Sequence, residues 1–357
     1  MARIAIIQDY LRSGGTERQS ILLANDFADV GHEVMLLTFR PGGVLDNTVS
    51  KKVLRRILQP FNLGLDWFAP HLASVVGEFS PDIILCMGRM ANCRAGGLQR
   101  AFPGVPVIGT MRTGKHLPLL FRRSLRVVRH IVSNSKNAAN LLTEAYGIPA
   151  KKISVIYNSL VFAPEGTRDD EAIALRQKFG ASSMTLVAVC VAMFRPEKNQ
   201  RELVEIAAQL PKDREWQIWL AGDGTARPEC EALVKAYYLE DRVKFVGFHK
   251  DPRPLYRAAD LAVLTSRSDS LSNFLVEAHS HRLPSVAYDI VGISECGGIV
   301  VEAGNQPQFI EKLLPLLLDE RVRSEASAKV HAYAVENFSR KSRVQAYLDL
   351  FESLKEK

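Results

Sequence analysis

Two acidic residues spaced eight positions apart, Asp269 and Glu277, are the first candidates for chemistry in this 357-residue chain. They lie in LTSRSDSLSNFLVEAHSHRLPSVAYD, which begins like a buried strand, turns polar, and continues as an apolar helix that carries Glu277. An unpaired carboxylate is costly to bury, so an acid at this place indicates protein partners or a ligand. A carboxylate can accept two hydroxyl hydrogen bonds, which suits a ribose diol at Glu277 and sugar hydroxyls at Asp269.

The residues between the two acids predict the start of a helix. Ser270–Asn273 is predicted to cap a helix, and Phe274–His281 has the apolar character of that helix. The helix N-terminal amides of Asn273 and Phe274 would face the cleft, where they can donate to phosphate oxygens. We therefore expect Ser272, Asn273 and Phe274 to contact the substrate.

Two cations, Arg195 and Lys198, follow another predicted strand in VAVCVAMFRPEKNQRELVEIA. The strand is predicted to end near Met193, and the next helix to begin around Asn199. Cations at the carboxyl end of a strand, beside a helix N-terminus, form an electropositive pocket that suits a diphosphate leaving group. Taken alone, the same pair could be loop cations in solvent.

Glycines mark two more strand-to-helix turns. Gly14 and Gly15 come just before a predicted helix, where they would let an anion or a sugar approach free backbone N–H groups. In IWLAGDGTARPECEAL, Gly222 permits a tight turn, for which a structural role is favoured and ligand contact follows only from its position. The Gly-x-Gly-x-x-Gly fingerprint of dinucleotide-binding domains is absent after the first strand, so NAD binding is not expected.

These turns belong to a repeated alternation of short β-branched runs and amphipathic stretches. Strands are predicted at Arg3–Ile7, Glu33–Leu37, Asp82–Cys86, Val105–Gly109, His130–Ser133, Ile153–Tyr157, Thr185–Ala192, Trp216–Ala221, Val243–Val246, Leu261–Leu264 and Ser285–Tyr288. The alternation predicts the α/β class, with two doubly wound parallel-sheet domains that face each other across a cleft. The last residues, FSRKSRVQAYLDLFESLKEK, predict a helix that returns to the first domain through Phe338, Val344, Tyr347, Leu348 and Phe351.

The composition favours a cytoplasmic protein with two hydrophobic cores, since the chain is longer than one core usually serves. Its longest apolar run, Leu186–Phe194, has nine residues, whereas a membrane span needs roughly 18 to 20. The first residues predict a strand rather than a signal peptide. The five cysteines and eight histidines are scattered, so neither a disulfide framework nor a metal site is predicted.

Positive charge is concentrated in the first half. Residues 1–165 hold 20 Lys and Arg against 11 Asp and Glu, whereas residues 166–357 hold 26 against 28. Two segments, KKVLRRI (Lys51–Ile57) and KHLPLLFRRSLRVVRH (Lys115–His130), alternate cations with apolar residues. Each could be a solvated helix face or a surface that meets anionic lipid or an anionic acceptor.

Several motifs follow one another along the chain. They are SGGTERQ, IVSNSKNAANLL, VIYNSL, FRPEKN, AGDG, VKFVGF and LYRAADLAVLTSRSDSLSNFLVEAHSHRLPSVAYDIVGISE. This ordered series resembles the retaining glycosyltransferases of family 4, which have the GT-B fold, over nearly the whole chain. The resemblance implies an acceptor-binding domain at residues 1–163, a nucleotide-sugar-binding domain at 164–338, and a helix at 339–357 that packs on the first domain. It also implies that Gly222 and Phe248, which lie in the donor-side motifs, are near the substrate.

By this resemblance, Glu277 holds the ribose, Asp269 binds hydroxyls of the transferred sugar, and Lys198 neutralises the diphosphate. Two positions depart from the family pattern. Asp269 replaces a glutamate and is followed by Ser270 instead of glycine, which bears on the sugar contact and on donor preference. Met193 replaces the usual arginine five residues before the lysine, so Arg195 could take over part of its charge.

A further position stays open. Many family members place a histidine near the transferred sugar, and Arg112, in VIGTMRTGKH, is the nearest match in position. It could contact the acceptor, bind a phosphate or pair with an acid.

The implied reaction moves a hexosyl-type unit from a nucleoside diphosphate sugar to a hydroxyl of a glycan or lipid-linked saccharide, with retention of configuration. UDP-sugars are favoured over GDP-sugars because they are more common donors in the family. No metal or other cofactor is expected, since cations and helix amides can stabilise the diphosphate. No nucleic acid partner is expected, and contact with an anionic membrane would be peripheral, on the cytoplasmic face of the inner membrane.

The resemblance places such a protein in bacterial cell-surface polysaccharide or glycolipid synthesis. Two alternatives stay open: a nucleotide-sugar epimerase of the same fold, and a catalytically degenerate partner subunit of a glycosyltransferase. The spacing of Asp269 and Glu277 argues for transfer rather than epimerisation. The retained Lys198 and Glu277 argue against a degenerate site.

Overall fold

The computed structural model describes residues 1–112, 116–160, 168–269 and 271–355. The chain divides into two compact units, Met1–Val161 with Ser339–Lys357, and Phe162–Phe338. The predicted boundary at residues 163 and 164 falls outside the described residues and stays a prediction. Each unit is built on one parallel sheet, so the predicted α/β class with two doubly wound sheets is confirmed.

The first unit has a seven-stranded parallel sheet in the order β3-β2-β1-β4-β5-β6-β7. In chain order its elements are β1 (Arg3–Gln8), α1 (Gly15–Asp29), β2 (Glu33–Thr38), β3 (Leu54–Ile57), α2 (Leu72–Phe79), β4 (Ile83–Cys86), α3 (Arg89–Ala101), β5 (Val107–Met111), α4 (Leu119–Val127), β6 (His130–Ser133), α5 (Lys136–Glu144) and β7 (Ile153–Val155). The strand order reverses between β1 and β4. A crevice is therefore expected beyond the carboxyl ends of these two strands.

The second unit has a six-stranded parallel sheet in the order β10-β9-β8-β11-β12-β13. Its elements are α6 (Asp170–Lys178), β8 (Leu186–Val191), α7 (Gln200–Ala207), β9 (Trp216–Ala221), α8 (Arg227–Ala236), β10 (Val243–Gly247), α9 (Arg253–Ala258), β11 (Leu261–Leu264), α10 (Asn273–Ser280), β12 (Ser285–Asp289), β13 (Ile299–Glu302), α11 (Gln306–Leu318) and α12 (Glu320–Phe338). Here the order reverses between β8 and β11. The loops after these two strands carry Lys198 and Asp269.

The last helix, α13 (Arg340–Lys355), belongs to the first unit. The ring of Phe27 on α1 lies 6.1 Å from that of Tyr347 and 5.6 Å from that of Phe351, measured between centroids. Val344 is also buried in this core, which confirms that the helix packs on the first unit. Phe338, predicted to share its apolar face, instead ends α12 in the second unit, because the chain turns between the two helices.

Two strands were not predicted. β3 has the sequence Leu-Arg-Arg-Ile and is an edge strand with three of its four residues exposed, so it lacks the apolar pattern of a buried strand. β13, an edge strand of the second sheet, is only four residues long. The helix interpretation of Lys51–Ile57 is therefore wrong, because this segment contains β3.

Within the described residues, no helix is long and apolar enough to cross a membrane. Four of the five cysteines are buried and Cys93 is half-buried, all as free thiols.

Candidate functional site

The loops that follow β8 and β11 meet because these strands are neighbours in a parallel sheet. Lys198 ends a short 3-10 turn, Pro196–Lys198, and its Nζ lies 2.6 Å from Oδ2 of Asp269. Both side chains are partly exposed, so the pair is accessible to a ligand. A backbone hydrogen bond of 2.8 Å from Arg267 N–H to the Glu197 carbonyl also joins the loops. The structure thus brings together two of the three residues predicted to be catalytic.

A buried polar network holds Asn199, the residue after Lys198. The sequence did not predict this network. Asn199 has left-handed backbone geometry, with φ of 53°, and donates from Nδ2 to the carboxylate of Glu202 and to the Thr265 carbonyl. The Thr265 hydroxyl donates back to the Asn199 carbonyl at 2.9 Å. Glu202 also accepts from the Tyr288 hydroxyl at 2.6 Å; burial, together with this contact, raises the pKa of Tyr288. The network therefore fixes the loop that carries Lys198.

The N-terminus of α10 lies in the loop after β11. Ser272 is the N-cap and its Oγ accepts from the Leu275 N–H at 3.4 Å, while Asn273 and Phe274 are the first helical residues. The prediction that this segment caps a helix is confirmed for Ser272; Ser270 lies outside the described residues. The helix begins one residue earlier than predicted. Its first turn carries the positive end of the helix dipole, which favours an anion.

Glu277 is buried one turn into α10. Its Oε2 accepts from the hydroxyl of Tyr256, on α9, at 2.8 Å. Tyr256 is itself buried. Its place in the site was not predicted, because a tyrosine within LYRAAD is typical of an ordinary core residue. The expected cost of burying Glu277 is thus met in part by this hydrogen bond.

The other residues predicted for this site take different positions. Arg195 is exposed, and no described carboxylate forms an ion pair with it. Phe248, directly after β10, is also exposed. Gly222 follows β9 with φ of 138°, and a Cβ there would lie 2.1 Å from the Ala192 carbonyl oxygen. Only glycine fits that turn, which supports the favoured structural role of Gly222.

In the first unit a cavity of about 290 Å³ lies where the strand order reverses. The residues that line it are Gln8, Asp9, Arg12, Thr16, Glu17, Met87, Gly88, Arg89, Asn92, Thr110, Arg112, His116, Leu117, Pro118 and Phe121. Gly14 is the N-cap of α1 and Gly15 its first residue, so the predicted glycine pair borders Thr16 and Glu17 of this lining. The helix begins at Gly15 rather than after it.

Arg112 lines the cavity, but two of its nitrogens are engaged elsewhere. Nη1 donates to Oδ1 of Asn158, and Nη2 donates to the Tyr347 hydroxyl at 3.0 Å. Among the described residues no acid pairs with Arg112, so this one of its three predicted contacts is not found. Arg112 instead ties the end of β5 to α13.

Asp9 directly follows β1 and lines the cavity, and no motif in the sequence singles it out. Its carboxylate accepts N–H groups of Met90 at 2.9 Å and Ala91 at 2.7 Å, which caps α3. A Cβ on Gly88 would lie 2.3 Å from Oδ1, so glycine is needed for this approach. Burial nevertheless raises the pKa of Asp9 from 3.8 to about 6.

The histidines do not form a metal site in the described part of the chain, where no group of three or more His, Cys, Asp or Glu could hold an ion. His279 is fully buried between the Cys296 carbonyl, at 3.0 Å, and the Ser285 hydroxyl, at 2.8 Å. Burial lowers its pKa to about 4. His279 therefore packs as a neutral core residue.

The second unit thus combines a lysine, a helix N-terminus and two carboxylates at one switch point of its sheet. The lysine and the helix amides suit an anionic group, and the carboxylates suit hydroxyl groups. A ligand with both kinds of group fits this arrangement.

Comparisons with known proteins identify the family of the chain. Residues 13–160 match the model of Glycosyltransferase Family 4, and residues 185–319 match that of Glycosyl transferases group 1. The lipopolysaccharide core biosynthesis glycosyltransferase LpsD of Rhizobium meliloti (strain 1021) is 30% identical over 350 residues, which cover 95% of each chain. LpsE of the same organism is 26% identical over 353 residues, which cover 96% of this chain and 97% of LpsE.

Among solved structures, Anabaena Alr3699/HepE in complex with UDP is similar, with a TM-score of 0.83 and 22% identity. The match covers 99% of this chain and 100% of the other. The same protein has also been solved with UDP-glucose. On the similarity to LpsD and the two family models, this chain belongs to the group 1 glycosyltransferases of family 4, and it is a glycosyltransferase with the GT-B fold.

Proposed function

We propose that this glycosyltransferase is a retaining enzyme that moves a hexosyl-type unit from a UDP-sugar to a hydroxyl of a glycan or lipid-linked saccharide. The observation that carries the proposal is the Lys198–Asp269 ion pair in the unit that also holds Glu277 and the N-terminus of α10. UDP and UDP-glucose, bound in the Anabaena structures, support UDP as the nucleotide. The names of LpsD and LpsE support an acceptor in lipopolysaccharide or related cell-surface synthesis.

In this proposal the donor occupies the second unit. Glu277 accepts hydrogen bonds from the ribose hydroxyls, and Tyr256 keeps its carboxylate oriented. Lys198 and the first N–H groups of α10 bind the diphosphate. Asp269 accepts a sugar hydroxyl, and Arg195, which is exposed, adds positive charge near the phosphates.

The chemistry follows from these positions. The bond between C1 of the sugar and the diphosphate oxygen breaks, and negative charge grows on the diphosphate. Lys198, Arg195 and the helix amides stabilise that charge, so the proposal includes no divalent metal. The acceptor oxygen forms its bond to C1 on the same face, and its proton passes to the departing diphosphate.

The acceptor would occupy the first unit, whose cavity is lined by Asp9, Glu17, Arg12 and Arg89. Carboxylates there can accept sugar hydroxyls, and the arginines can bind a phosphate or another acid on the acceptor. Two basic segments would bring this unit to an anionic membrane on the cytoplasmic face, namely Lys51–Ile57 and the described part of Lys115–Arg129. Lys115 itself lies outside the described residues. The domain boundaries at residues 163 and 338 are part of the same proposal.

The test is calorimetric titration of the purified protein with UDP and with GDP, without added divalent metal. We expect UDP to bind more tightly than GDP, and both Glu277→Ala and Lys198→Ala to weaken UDP binding roughly 10- to 100-fold, the cost of a lost charged hydrogen bond. Lys329→Ala, at an exposed lysine of α12, is the matched control and should bind as the wild type does. If neither nucleotide binds the wild-type protein, the proposal is wrong.

A further inference from the structure

A loop in the first unit exposes four large apolar side chains within seven residues. Phe61, Leu63, Leu65 and Trp67 are all exposed, Phe61 by 64% and Trp67 by 54%. Single exposed apolar residues are ordinary, but a contiguous group marks an interaction surface. We call residues 61–68 the apolar loop.

Polar contacts hold the backbone of the apolar loop while its large side chains remain outside. Buried Gln59 donates from Nε2 to the carbonyls of Leu65 and Phe68, both at 2.7 Å. Asp66 forms ion pairs with Arg12 and with Arg40, the latter at 2.6 Å. Arg94, on α3, donates to the Trp67 carbonyl at 3.1 Å. The exposed side chains are therefore presented by an anchored segment.

The apolar loop borders the cavity of the first unit. Its Asp66 pairs with Arg12, which lines the cavity, and on another side the lining includes Leu117 and Pro118, just before α4. The first two residues of α4, Leu119 and Leu120, are exposed. Because the loop follows β3 and α4 follows β5 in a parallel sheet, both lie at the carboxyl edge of that sheet. Exposed apolar side chains thus flank the cavity from two elements.

The charge of this unit indicates what the loop meets. The first unit holds 25 Lys and Arg against 13 Asp and Glu, a net charge of +12, whereas the second holds 21 against 26. Between residues 112 and 143 there are seven cations and no acid, and Lys51–Arg56 has four cations and no acid. Exposed apolar residues that include a tryptophan, in a unit of high positive charge, match the interface of an anionic bilayer.

We infer that the apolar loop, with Leu119 and Leu120, inserts into the interfacial region of an anionic bilayer and so brings the cavity to a lipid-linked acceptor. The inference rests on the part of the proposed function that concerns the acceptor. It does not depend on the proposed donor. Cations of the unit bind the anionic headgroups, and the apolar side chains enter between them. α4 supplies Arg123 to this surface, since Arg122 and Arg126 are engaged with Tyr146.

Tryptophan fluorescence tests this inference directly. Trp67 is one of three tryptophans, and the other two, Trp216 and Trp219, are buried at 3% and 0% exposure. We expect vesicles of phosphatidylglycerol and phosphatidylcholine to shift the emission of the wild-type protein to the blue. Lipids brominated in their acyl chains should quench it. Trp67→Phe should lose the shift and the quenching.

A flotation assay with the same vesicles measures the contribution of the loop. The triple variant Phe61→Ser, Leu63→Ser, Leu65→Ser should bind at least about tenfold more weakly than the wild type. The control is Met184→Ser with Tyr238→Ser, two exposed apolar residues of the second unit, which should bind as the wild type does. UDP titration of each variant checks its fold and separates this inference from the donor assignment.

Two outcomes would overturn the inference. One is the absence of wild-type binding to anionic vesicles at low ionic strength. The other is vesicle binding without quenching of Trp67 and without loss in the triple variant, which would mean that the basic segments bind the surface alone. Retained UDP affinity in either case would leave the proposed donor site standing.

Discussion

Lys198 and Asp269 are 71 residues apart in the chain, yet Nζ of one lies 2.6 Å from Oδ2 of the other. The pair exists because β8 and β11 are neighbours, so the loops after their carboxyl ends meet at the point where the strand order reverses. Asp269 thereby neutralises the positive charge of Lys198, which in the proposed function binds the diphosphate. A donor entering the site has to share Lys198 with this acid.

The first prediction separates the two roles of Asp269. Asp269→Asn removes a negative charge beside Lys198, so UDP should bind about three- to tenfold more tightly, equivalent to ~1 kcal/mol. Binding of UDP-glucose should gain less, because the amide is a poorer partner for a sugar hydroxyl, and the turnover rate should fall. Calorimetry with UDP and UDP-glucose, with a rate assay, measures both. An equal loss of affinity for the two ligands would contradict this division of roles.

The second prediction concerns Glu202, a residue that positions the loop without touching the donor. Glu202→Ala leaves the Tyr288 hydroxyl without this acceptor and leaves Asn199 Nδ2 with the Thr265 carbonyl alone, so the position of Lys198 becomes less fixed. We expect UDP affinity to fall about tenfold and the melting temperature to fall by several degrees, as expected for loss of a buried charged hydrogen bond. Glu205→Ala, on the same helix but paired with exposed Arg201, is the control. Unchanged UDP affinity in Glu202→Ala would exclude the positioning role.

Much of the fold follows from the sequence because buried parallel strands are short, nearly continuous apolar runs. Strands such as Trp216–Ala221 and Leu261–Leu264 were predicted with the observed bounds. Two of the four edge strands, β3 and β13, were not predicted. For β3 the reason is physical: it pairs on one side only and faces water, so its arginines carry no strand signal.

The site was predictable where it depends on local sequence and hidden where it depends on distant contacts. Lys198 and Glu277 follow strand ends, which the βα pattern locates. Tyr256 and Glu202 matter because of partners 21 and 86 residues away, and no local pattern encodes such pairing. Arg112 was ambiguous for the same reason, since its partner Tyr347 lies 235 residues further along.

The third prediction tests whether Gly222 is structural. Gly222→Ala places a Cβ 2.1 Å from the Ala192 carbonyl oxygen at φ of 138°, so we expect a loss of more than about 3 kcal/mol in the free energy of unfolding. Gly180→Ala is the matched control: its φ of 69° is also positive but no atom lies within 4 Å, so the loss should be about 1 kcal/mol. Urea unfolding of both variants gives the comparison. A stable Gly222→Ala protein that loses only UDP binding would favour direct ligand contact instead.

The fourth prediction concerns the pH dependence that Asp9 confers on stability. The pKa of Asp9 is about 6 in the folded protein and 3.8 for the ordinary side chain, because burial disfavours the carboxylate even with two N–H donors. The folded state therefore holds the proton more tightly than the unfolded state does. The stability that this group contributes is greatest below pH 3.8 and is lost as the pH rises through 6.

Asp9→Asn, which does not titrate, isolates this effect. The difference in free energy of unfolding, wild type minus variant, should decrease by up to about 3 kcal/mol between pH 4 and pH 7, because each unit of difference in pKa corresponds to about 1.36 kcal/mol. Above pH 7 the difference should stay constant. Urea unfolding followed by circular dichroism at several pH values measures the difference. If Asp9 is ionised throughout this range, the difference should not change with pH. If the difference increases with pH, the hydrogen bonds from Met90 and Ala91 stabilise the carboxylate by more than burial destabilises it. Either result would mean that the cavity of the first unit holds a full negative charge at pH 5, which favours acceptor hydroxyl groups over acceptor phosphates beside Asp9.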